Sequence, residues 1–585
     1  MKTDSETVWE SPLTVGDVIK RMLPSGSSLR AARAPWSACP EWAADVFAVA
    51  AAIVHASSCY AEPGIALSQT DKEREQKLDR ARLHAETGQK WSTSVSVPPL
   101  VETHWSVLHD QCFNSPISDQ SRFSKKWKSS ALALVAISDE AMAGAGYFPS
   151  GSDGIANFVW DELIRSDRKY SLGLPHSLCL LVPNEIACVL PKSLTPNVGC
   201  TLRSLTHNVA FLPGRGVVKP EWLINPSDEL SSRIRGSRSK KGKVVDEVPD
   251  GVFNILIVPF PYVIHATDFI ASRKAKGDGD GYFTLSQGWL KDGARRISPT
   301  AMAKFIGDLI STARSDVGPI HAVVLPEVAL DEAIGDGTAK LLAKRFPELE
   351  LFVTGQAIGL PPSQRNVAAQ YRLLDGTVVS TVKQSKHHRW RLEGNQIRQY
   401  QLGGTLDPNH NWWEHIDVHD RHIGFSINRH GAIVSALVCE DLARQEPVLP
   451  TVVAVGPTLV IALLLDGPQL PNRWPGRYAT VLAEDPGSSV LTVSNLGMID
   501  RSVMPGADNR RVVGLWKDNH AAAKELTLPA GHHGLVLSLN CCNRKQVSLD
   551  HRTASRRIVE YRLGATRAVR LDGAPKWLER RTTDV

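Results

Sequence analysis

The stretch Ser435-Ala436-Leu437-Val438-Cys439-Glu440-Asp441-Leu442-Ala443-Arg444 decides how the second half of this chain folds. The residues from Gly431 to Val438 are mainly aliphatic and β-branched, which predicts a buried strand. The chain turns polar directly after Cys439, as it does where a helix begins. A helix N-terminus offers unpaired N–H groups and a partial positive charge, which favour a thiolate over a thiol. The pattern therefore predicts a nucleophile at a strand end.

A lone cysteine at this position has a second interpretation, because free cysteines are usually buried and pack as small apolar side chains. Two other polar side chains favour the catalytic interpretation. Glu327 follows the apolar run 320–325 and Pro326, and Lys386 follows the predicted strand at 377–382. Ligands bind beyond the carboxyl ends of strands in open sheets, so these side chains share one pocket if the strands are neighbours.

Six motifs in residues 251–543 occur in a fixed order. They are a strand at Asn254–Pro259, Leu325-Pro326-Glu327, a strand pair with Gly355, Arg365-Asn366 and Asp375-Gly376, Lys386-His387-His388 followed by Glu393 and Leu402-Gly403-Gly404, Val438-Cys439-Glu440-Asp441, and the strand ending at Asn495. In this order the motifs resemble the nitrilase, or carbon–nitrogen hydrolase, superfamily, whose catalytic set is Glu, Lys, Cys and a second Glu. The resemblance covers about half of the chain.

The resemblance implies a thiol-dependent hydrolase of a non-peptide C–N bond in a linear amide, carbamoyl group or nitrile. It implies Cys439 as nucleophile, Glu327 as general base, Lys386 as oxyanion donor and Glu393 as the group that positions Lys386 or the substrate. The oxyanion and substrate-binding residues expected beside them are Glu440, Asp441, Asn366 and His388. The implied fold is an α/β, four-layer α-β-β-α sandwich that forms homo-oligomers, binds a small amide or nitrile and needs no cofactor.

Two other functions stay open. One is a catalytically silent or regulated scaffold or sensor in a multi-component system, in which residues 1–243 bind a protein or nucleic acid. The other is acyl transfer to an amine through the same thioester. Fast reaction of Cys439 with electrophiles, relative to the other cysteines, would favour an enzyme.

The chain of 585 residues is longer than one ordinary domain. We predict a separate, mainly helical α+β module of unknown role at 1–230, a basic linker at 231–250, the hydrolase-like domain at 251–545 and a basic C-terminal tail at 546–585. The linker prediction rests on residues 231–243, which contain six Lys and Arg residues and two glycines with almost no apolar content.

Composition indicates a soluble globular protein, with 42% hydrophobic and 22% charged residues and a mild net charge of +6. Nine cysteines without paired zinc-like spacing predict a reducing compartment. The first ten residues are polar, and the longest apolar runs, 46–56 and 452–465, are shorter than the ~20 residues of a membrane span. We therefore expect a cytoplasmic protein without membrane partners.

The segment His410–His422 is rich in histidine and tryptophan. His415 and His419 are one helical turn apart and could bind zinc. The pair Trp412-Trp413 instead favours a loop that packs over or beside the pocket. We favour the loop and expect no metal site.

Overall fold

The structure, a computed structural model, describes residues 13–23, 38–63, 70–94, 96–143, 187–192, 200–213, 219–223, 251–273, 279–361, 363–419, 421–428, 432–446, 448–502 and 510–578. The basic linker predicted at 231–250 lies outside these residues. The chain divides into two compact units. The first contains residues 1–192, 199–217 and 545–556, and the second contains 193–198, 218–544 and 557–585.

The first unit is mainly helical. Its helices are α1 (Val15–Met22), α2 (Ala43–Ser57), α3 (Asp71–Trp91), α4 (Pro99–Ser106) and α5 (Lys125–Ala141). Thr14 and Thr70 begin α1 and α3 with capping boxes. Helix α2 is apolar on nearly every side because it is packed among α1, α5 and the antiparallel strands β1 (Ala187–Pro191) and β2 (Val209–Pro213).

The second unit mixes helices and strands. Its strands are β3 (Lys219–Leu223), β4 (Val252–Ile257), β5 (Phe269–Arg273), β6 (Gly281–Leu285), β7 (Lys291–Asp292), β8 (Arg295–Arg296), β9 (Ala322–Val324), β10 (Leu330–Asp331), β11 (Leu351–Ile358), β12 (Arg365–Leu374), β13 (Thr377–Ser385), β14 (Arg391–Leu392), β15 (Trp412–Glu414), β16 (His422–Ile427), β17 (Ile433–Val438), β18 (Leu459–Leu464), β19 (Ser489–Ser494), β20 (Val512–Lys517), β21 (Lys524–Thr527), β22 (Gly534–Val547) and β23 (Thr553–Val569). Its helices are α6 (Pro299–Val317), α7 (Glu332–Arg345), α8 (Gly394–Gln399), α9 (Val448–Val455), α10 (Trp474–Glu484) and α11 (Leu496–Arg501).

The first large sheet has the strand order β13-β12-β11-β9-β4-β22-β23, with β10 beside β11. Strands β4, β9 and β11 are parallel, and β9 ends just before Leu325-Pro326-Glu327. Strands β12 and β13 form a hairpin whose turn residues, Asp375 and Gly376, have φ of 47° and 83°. Two successive positive φ values are typical of a type I′ turn, so the sequence Asp-Gly explains the hairpin.

The second large sheet has the order β21-β20-β19-β18-β17-β16-β3. Its central strands β17, β18 and β19 are parallel and buried at every residue, as expected for strands covered on both faces. The strand predicted to end at Val438 is therefore one of the three buried parallel strands of this sheet.

The two large sheets face each other through β12 and β13 on one side and β16 and β17 on the other. Their closest approach includes Gly424, where an added Cβ would lie 2.5 Å from Cγ1 of Val382. Helix α7 packs on the outer side of β11–β13 together with α6, and α10 packs on β19 and β20. No helix in the described part of the chain is both long and apolar enough to cross a membrane.

The segment expected to be a basic tail, residues 546–585, contains β23 instead. This strand lies beside β22 at the edge of the first large sheet. Val559 and Tyr561 are fully buried and two residues apart, so they lie on one face of the strand. Glu560 lies between them, and the nearby Arg556, Arg557 and Arg562 give the stretch the basic composition that conceals the strand. Residues 545–556, at the tip of the β22–β23 hairpin, belong to the first unit.

Candidate active site

Cys439 lies where β17 ends and a short 3-10 turn, Cys439–Leu442, begins. Its φ is 43°, in the left-handed region that non-glycine residues rarely adopt. Such strained backbone is common at functional sites, where the surrounding structure holds it. The side chain is 4% exposed. This geometry is that of a sharp strand-to-helix turn, a local structure that can expose a nucleophile.

Lys386 directly follows β13 and is completely buried between two carboxylates. Its Nζ lies 2.8 Å from Oε1 of Glu327 and 2.7 Å from Oε2 of Glu414. The Nδ2 of Asn366 donates to both carboxylates, at 2.7 Å to Glu327 and 2.8 Å to Glu414. One cation and one amide therefore bind the same two acids.

Glu327 is held in place by its own backbone. Val328, the next residue, has a φ of 52°, which is a genuine outlier for a β-branched residue. Gly355 on β11 packs directly against this turn, because an added Cβ would lie 2.4 Å from Cα of Glu327. The Oε2 atom of Glu327 is buried and has no hydrogen-bond partner among the described residues.

The charges of Glu327, Lys386 and Cys439 shift one another's pKa values. Burial raises the pKa of Glu327, with Lys386 acting against this and Glu414 adding to it. Burial lowers the pKa of Lys386, but Glu327, Glu414 and Cys439 outweigh it and hold that pKa well above its ordinary value. Burial and Glu327 raise the pKa of Cys439 well above its ordinary value, although Lys386 lowers it.

The thiolate expected from the helix start is therefore not the resting state. The 3-10 turn after Cys439 has only four residues, so its dipole is small, while burial and the nearby carboxylates oppose a second negative charge. A thiol that stays protonated needs a base before it can act as a nucleophile, and a carboxylate with a raised pKa, such as that of Glu327, is suited to accept its proton.

Asp441 joins the cysteine turn to the segment after Lys386. Its carboxylate accepts hydrogen bonds from the backbone N–H of His387 at 3.0 and 3.1 Å and lies 3.1 Å from Nδ1 of His388. Asp441 is thus a buried tether between the two segments. Glu440 is partly exposed and pairs with Arg444 at 2.6 Å.

Glu393 lies apart from this cluster. It forms the N-cap of α8, its side chain is 58% exposed, and it pairs with Arg391 at 3.1 Å. The second carboxylate on Lys386 is that of Glu414, which sequence reasoning missed. Its only sequence signal is its place in the segment 410–422, predicted to lie beside the pocket. Glu414 reaches the site because its strand pairs with β6 and its N–H donates to Trp390 O at 2.8 Å.

Comparison with known proteins gives structural neighbours only. No protein family model and no curated protein matches this chain. The similar solved structures include nitrilase-superfamily proteins and glutamine-dependent NAD+ synthetases. Saccharomyces cerevisiae Nit3, a member of branch 10 of that superfamily, is 11% identical over 49% of this chain and 90% of its own, with a TM-score of 0.28. A mutant of the Nesterenkonia AN1 amidase is 12% identical over 50% of this chain and 93% of its own, with a TM-score of 0.30. A Helicobacter pylori G27 carbon-nitrogen hydrolase is 10% identical over 54% of this chain and 88% of its own, with a TM-score of 0.26.

Asp466 is a further buried carboxylate at the same edge of the sheet, two residues beyond β18. Its Oδ1 accepts from the hydroxyl of Tyr400, from Nη2 of Arg473 at 2.8 Å and from the N–H of Gly467 at 2.7 Å. Its Oδ2 is buried without a hydrogen-bond partner among the described residues. Because β17 and β18 are parallel neighbours, the strand-end rule that selected Cys439 also applies to Asp466.

The histidines considered for zinc bind different groups. His415 Nδ1 lies 2.9 Å from Oγ of Ser272, and His419 Nδ1 bonds Asp417. The segment contains β15, which carries Glu414, and the residues from His415 to His419 form a loop directly after it.

Asp139, Glu140 and His207 in the first unit are close enough to share a metal ion. However, Nη1 of Arg552 lies 3.2 Å from Oδ2 of Asp139 and 2.7 Å from Oε1 of Glu140. Three backbone N–H groups, at 207–209, also donate to Asp139. The arginine supplies the positive charge that a metal would bring.

Proposed function

We propose that this protein is a thiol-dependent hydrolase of a linear, non-peptide C–N bond in an amide, carbamoyl group or nitrile. The observation that carries the proposal is the complete burial of Lys386 between Glu327 and Glu414, in electrostatic reach of Cys439. Burying one cation and two carboxylates is costly for stability, so their retention beside a strained cysteine favours a catalytic role.

In the first half of the reaction, the Cys439 thiol gives its proton to Glu327 as sulfur attacks the carbonyl carbon. The developing oxyanion is stabilised by Lys386 and by the backbone N–H of Glu440. That N–H lies in the first turn of a 3-10 segment, where such groups have no partner within the turn. Each donor of this kind typically lowers the barrier by about 3–4 kcal/mol. Glu327 then protonates the leaving nitrogen, and the C–N bond breaks to leave a thioester.

In the second half, Glu327 takes a proton from water, and the resulting hydroxide attacks the thioester carbon. The C–S bond breaks, the acid product leaves, and the sulfur regains its proton from Glu327. One carboxyl group thus acts in turn as base and acid, which a pKa raised by burial supports.

Glu414 has the positioning role that was expected of Glu393. Its Oε2 accepts from both Nζ of Lys386 and the backbone N–H of Trp390, at 2.7 and 3.1 Å. Asn366 fixes the separation of Glu414 and Glu327 by donating to both. Asp441 and His388 tie the cysteine turn to the lysine segment rather than contacting the reacting atoms.

The remaining parts of the proposal concern the whole chain. The facing sheets with helices on their outer sides support a four-layer α-β-β-α sandwich in the second unit, and we propose that it forms homo-oligomers. The helices of the first unit support a separate domain, for which we propose a protein or nucleic acid partner. Cys39, Cys59, Cys112, Cys200, Cys439 and Cys542 form no disulfide with a described residue, which supports a reducing, cytoplasmic location.

The test is intact-mass measurement of the purified protein and of Cys439→Ala after incubation with a panel of linear amides and nitriles. An acyl adduct on the wild type that is missing from the variant would support the thioester route and identify the acyl group. Cys541→Ala is the matched control, because Cys541 is also buried but lies on β22. Absence of both adduct and released ammonia across the panel would contradict hydrolysis of these substrates.

A further inference from the structure

A cavity of about 370 Å³ lies in the second unit beside the candidate active site. Its walls come from the ends of β5 and β6, from the segment after Lys386 and from the residues that follow Glu414. The polar side chains that line it are Arg273, Tyr282, Ser363, Arg389, His415, Asp417 and His419. Neither the catalytic proposal nor the strand-end rule uses any of them.

The charge in this cavity is predominantly positive. Arg389 is half-buried, and its Nε donates to the backbone carbonyl of Ile416 at 3.1 Å, which holds its guanidinium group in place. Neither Arg389 nor Arg273 forms an ion pair with any carboxylate that the structure describes. Asp417, the one acidic residue of the lining, accepts instead from the backbone N–H and the ring of His419.

His415 lies close enough to Arg389 and Arg273 for both charges to affect its pKa. Its Nδ1 lies 2.9 Å from Oγ of Ser272, and its ring is 5.3 Å from that of Tyr282. Burial, Arg389 and Arg273 lower its pKa, in that order. His415 therefore stays neutral near pH 7 and contributes hydrogen-bonding capacity rather than a third cation.

We propose that this cavity binds an anionic group, a phosphate or a carboxylate, through Arg389 and Arg273. A guanidinium group presents paired N–H donors whose spacing matches the oxygens of both anions. The two guanidinium groups of this lining outnumber its single carboxylate, that of Asp417, which is hydrogen-bonded to His419. An anion would therefore complete the site. The hydroxyl of Tyr282 lies in the same lining and can supply a further donor.

The anion has two possible sources. It can be the far end of the hydrolysed substrate, a role that rests on the proposed function, or it can be a separate ligand. An anion from either source would bind next to Glu414 and Lys386, because His415 directly follows Glu414 and Arg389 lies three residues after Lys386.

The first experiment measures binding of inorganic phosphate and of succinate by calorimetry, at constant ionic strength, to the wild type, Arg389→Gln, Arg273→Gln and Arg398→Gln. We expect saturable binding to the wild type that weakens by at least about tenfold in the first two variants. Arg398 is exposed on α8, away from the cavity, so its variant should bind like the wild type. Arg273 is also exposed and makes no ion pair with a described residue, so folding should survive its replacement.

The proposal is overturned if neither anion binds the wild type saturably, or if both cavity variants bind as tightly as the wild type. Hydrolysis of succinamate and butyramide, which differ by one carboxylate, then separates the sources. A wild-type preference for succinamate that Arg389→Gln abolishes assigns the site to the substrate, while an unchanged preference with lost phosphate binding assigns it to a separate anion. If neither amide is hydrolysed, the proposed function fails for these substrates, and the calorimetry still decides the anion site.

Discussion

Lys386 is the residue on which the candidate site depends. A lysine without exposure to water would ordinarily lose its charge, because burial lowers its pKa. Here Glu327, Glu414 and Cys439 together hold that pKa well above its ordinary value. The ammonium group is therefore retained, as the proposed oxyanion-stabilising role requires, and its position depends on both carboxylates.

We predict that Glu414→Gln lowers kcat/KM by about a hundredfold, because small misplacement of a catalytic group has effects of that size. The amide cannot carry the negative charge that holds Lys386. Steady-state kinetics on the amide identified by the adduct experiment would measure the loss. Glu393→Gln is the matched control and should retain full activity, since Glu393 is 58% exposed and contacts Arg391. If Glu393→Gln lost activity and Glu414→Gln kept it, Glu393 and not Glu414 would be the residue that positions Lys386.

The raised pKa values of Glu327 and Cys439 predict the pH dependence of kcat/KM. Glu327 must be ionised to accept the thiol proton, so activity should fall as the pH falls through its pKa, above the ordinary glutamate value of 4.5. The thiol should stay protonated until the pH exceeds the ordinary cysteine pKa of 9.0. We therefore expect any loss of activity at high pH to begin above pH 9.0. A measured acid limb at or below pH 4.5 would contradict Glu327 as the base.

At the scale of elements, the site depends on the contact between β11 and the turn that carries Glu327. Gly355 has no room for a side chain, because a Cβ there would lie 2.4 Å from both Cα of Glu327 and N of Val328. Backbone atoms of a strained turn cannot move without shifting the carboxylate that they carry.

Gly355→Ala should therefore lower kcat by at least about tenfold and destabilise the second unit by roughly 1–3 kcal/mol, the usual cost of overpacking. Kinetics and denaturant unfolding measure the two effects. Gly403→Ala is the control, since nothing lies within 4 Å of an added Cβ and its φ is not positive. Equal behaviour of the two variants would show that Glu327 does not depend on this packing.

At the scale of the whole molecule, a segment late in the chain completes the first unit. Residues 545–556 belong to the first unit although they lie hundreds of residues from its helices in sequence. Arg552 is fully buried there and binds Glu140 on α5 at 2.7 Å and Asp550 at 2.8 Å. These acids, with Asp139, outweigh the effect of burial and raise the pKa of Arg552.

Removal of the charge by Arg552→Met should destabilise the first unit by about 3–5 kcal/mol, because Glu140 and Asp139 would be left buried without their cation. Urea unfolding followed by tryptophan fluorescence is a suitable measurement, since Trp105 and Trp127 are buried in this unit. Arg567→Met is the control. Arg567 and its partner Asp316 are 62% and 44% exposed, so its loss should change stability by less than about 1 kcal/mol. A similar effect of both substitutions would contradict the role given to the buried cluster.

Local sequence predicted those parts of the fold whose causes are local. Strand β17 was predictable because its six residues are all buried and apolar or small, and the β12–β13 turn because Asp-Gly suits positive φ. Strand β23 was not, since basic residues mask the alternation of Val559 and Tyr561.

The same distinction applies to the site. The sequence by itself determined the strand ends that carry Glu327, Lys386 and Cys439, because each follows an apolar run that can be recognised within a few residues. Only the tertiary structure decided that Glu414, 28 residues after Lys386, and not Glu393 provides the second carboxylate. Only the tertiary structure also decided that Cys439 rests as a thiol, since burial and the charges of distant segments outweigh the local helix start. Pairing of strands and loss of solvent act between residues far apart in the chain, so no local pattern encodes them.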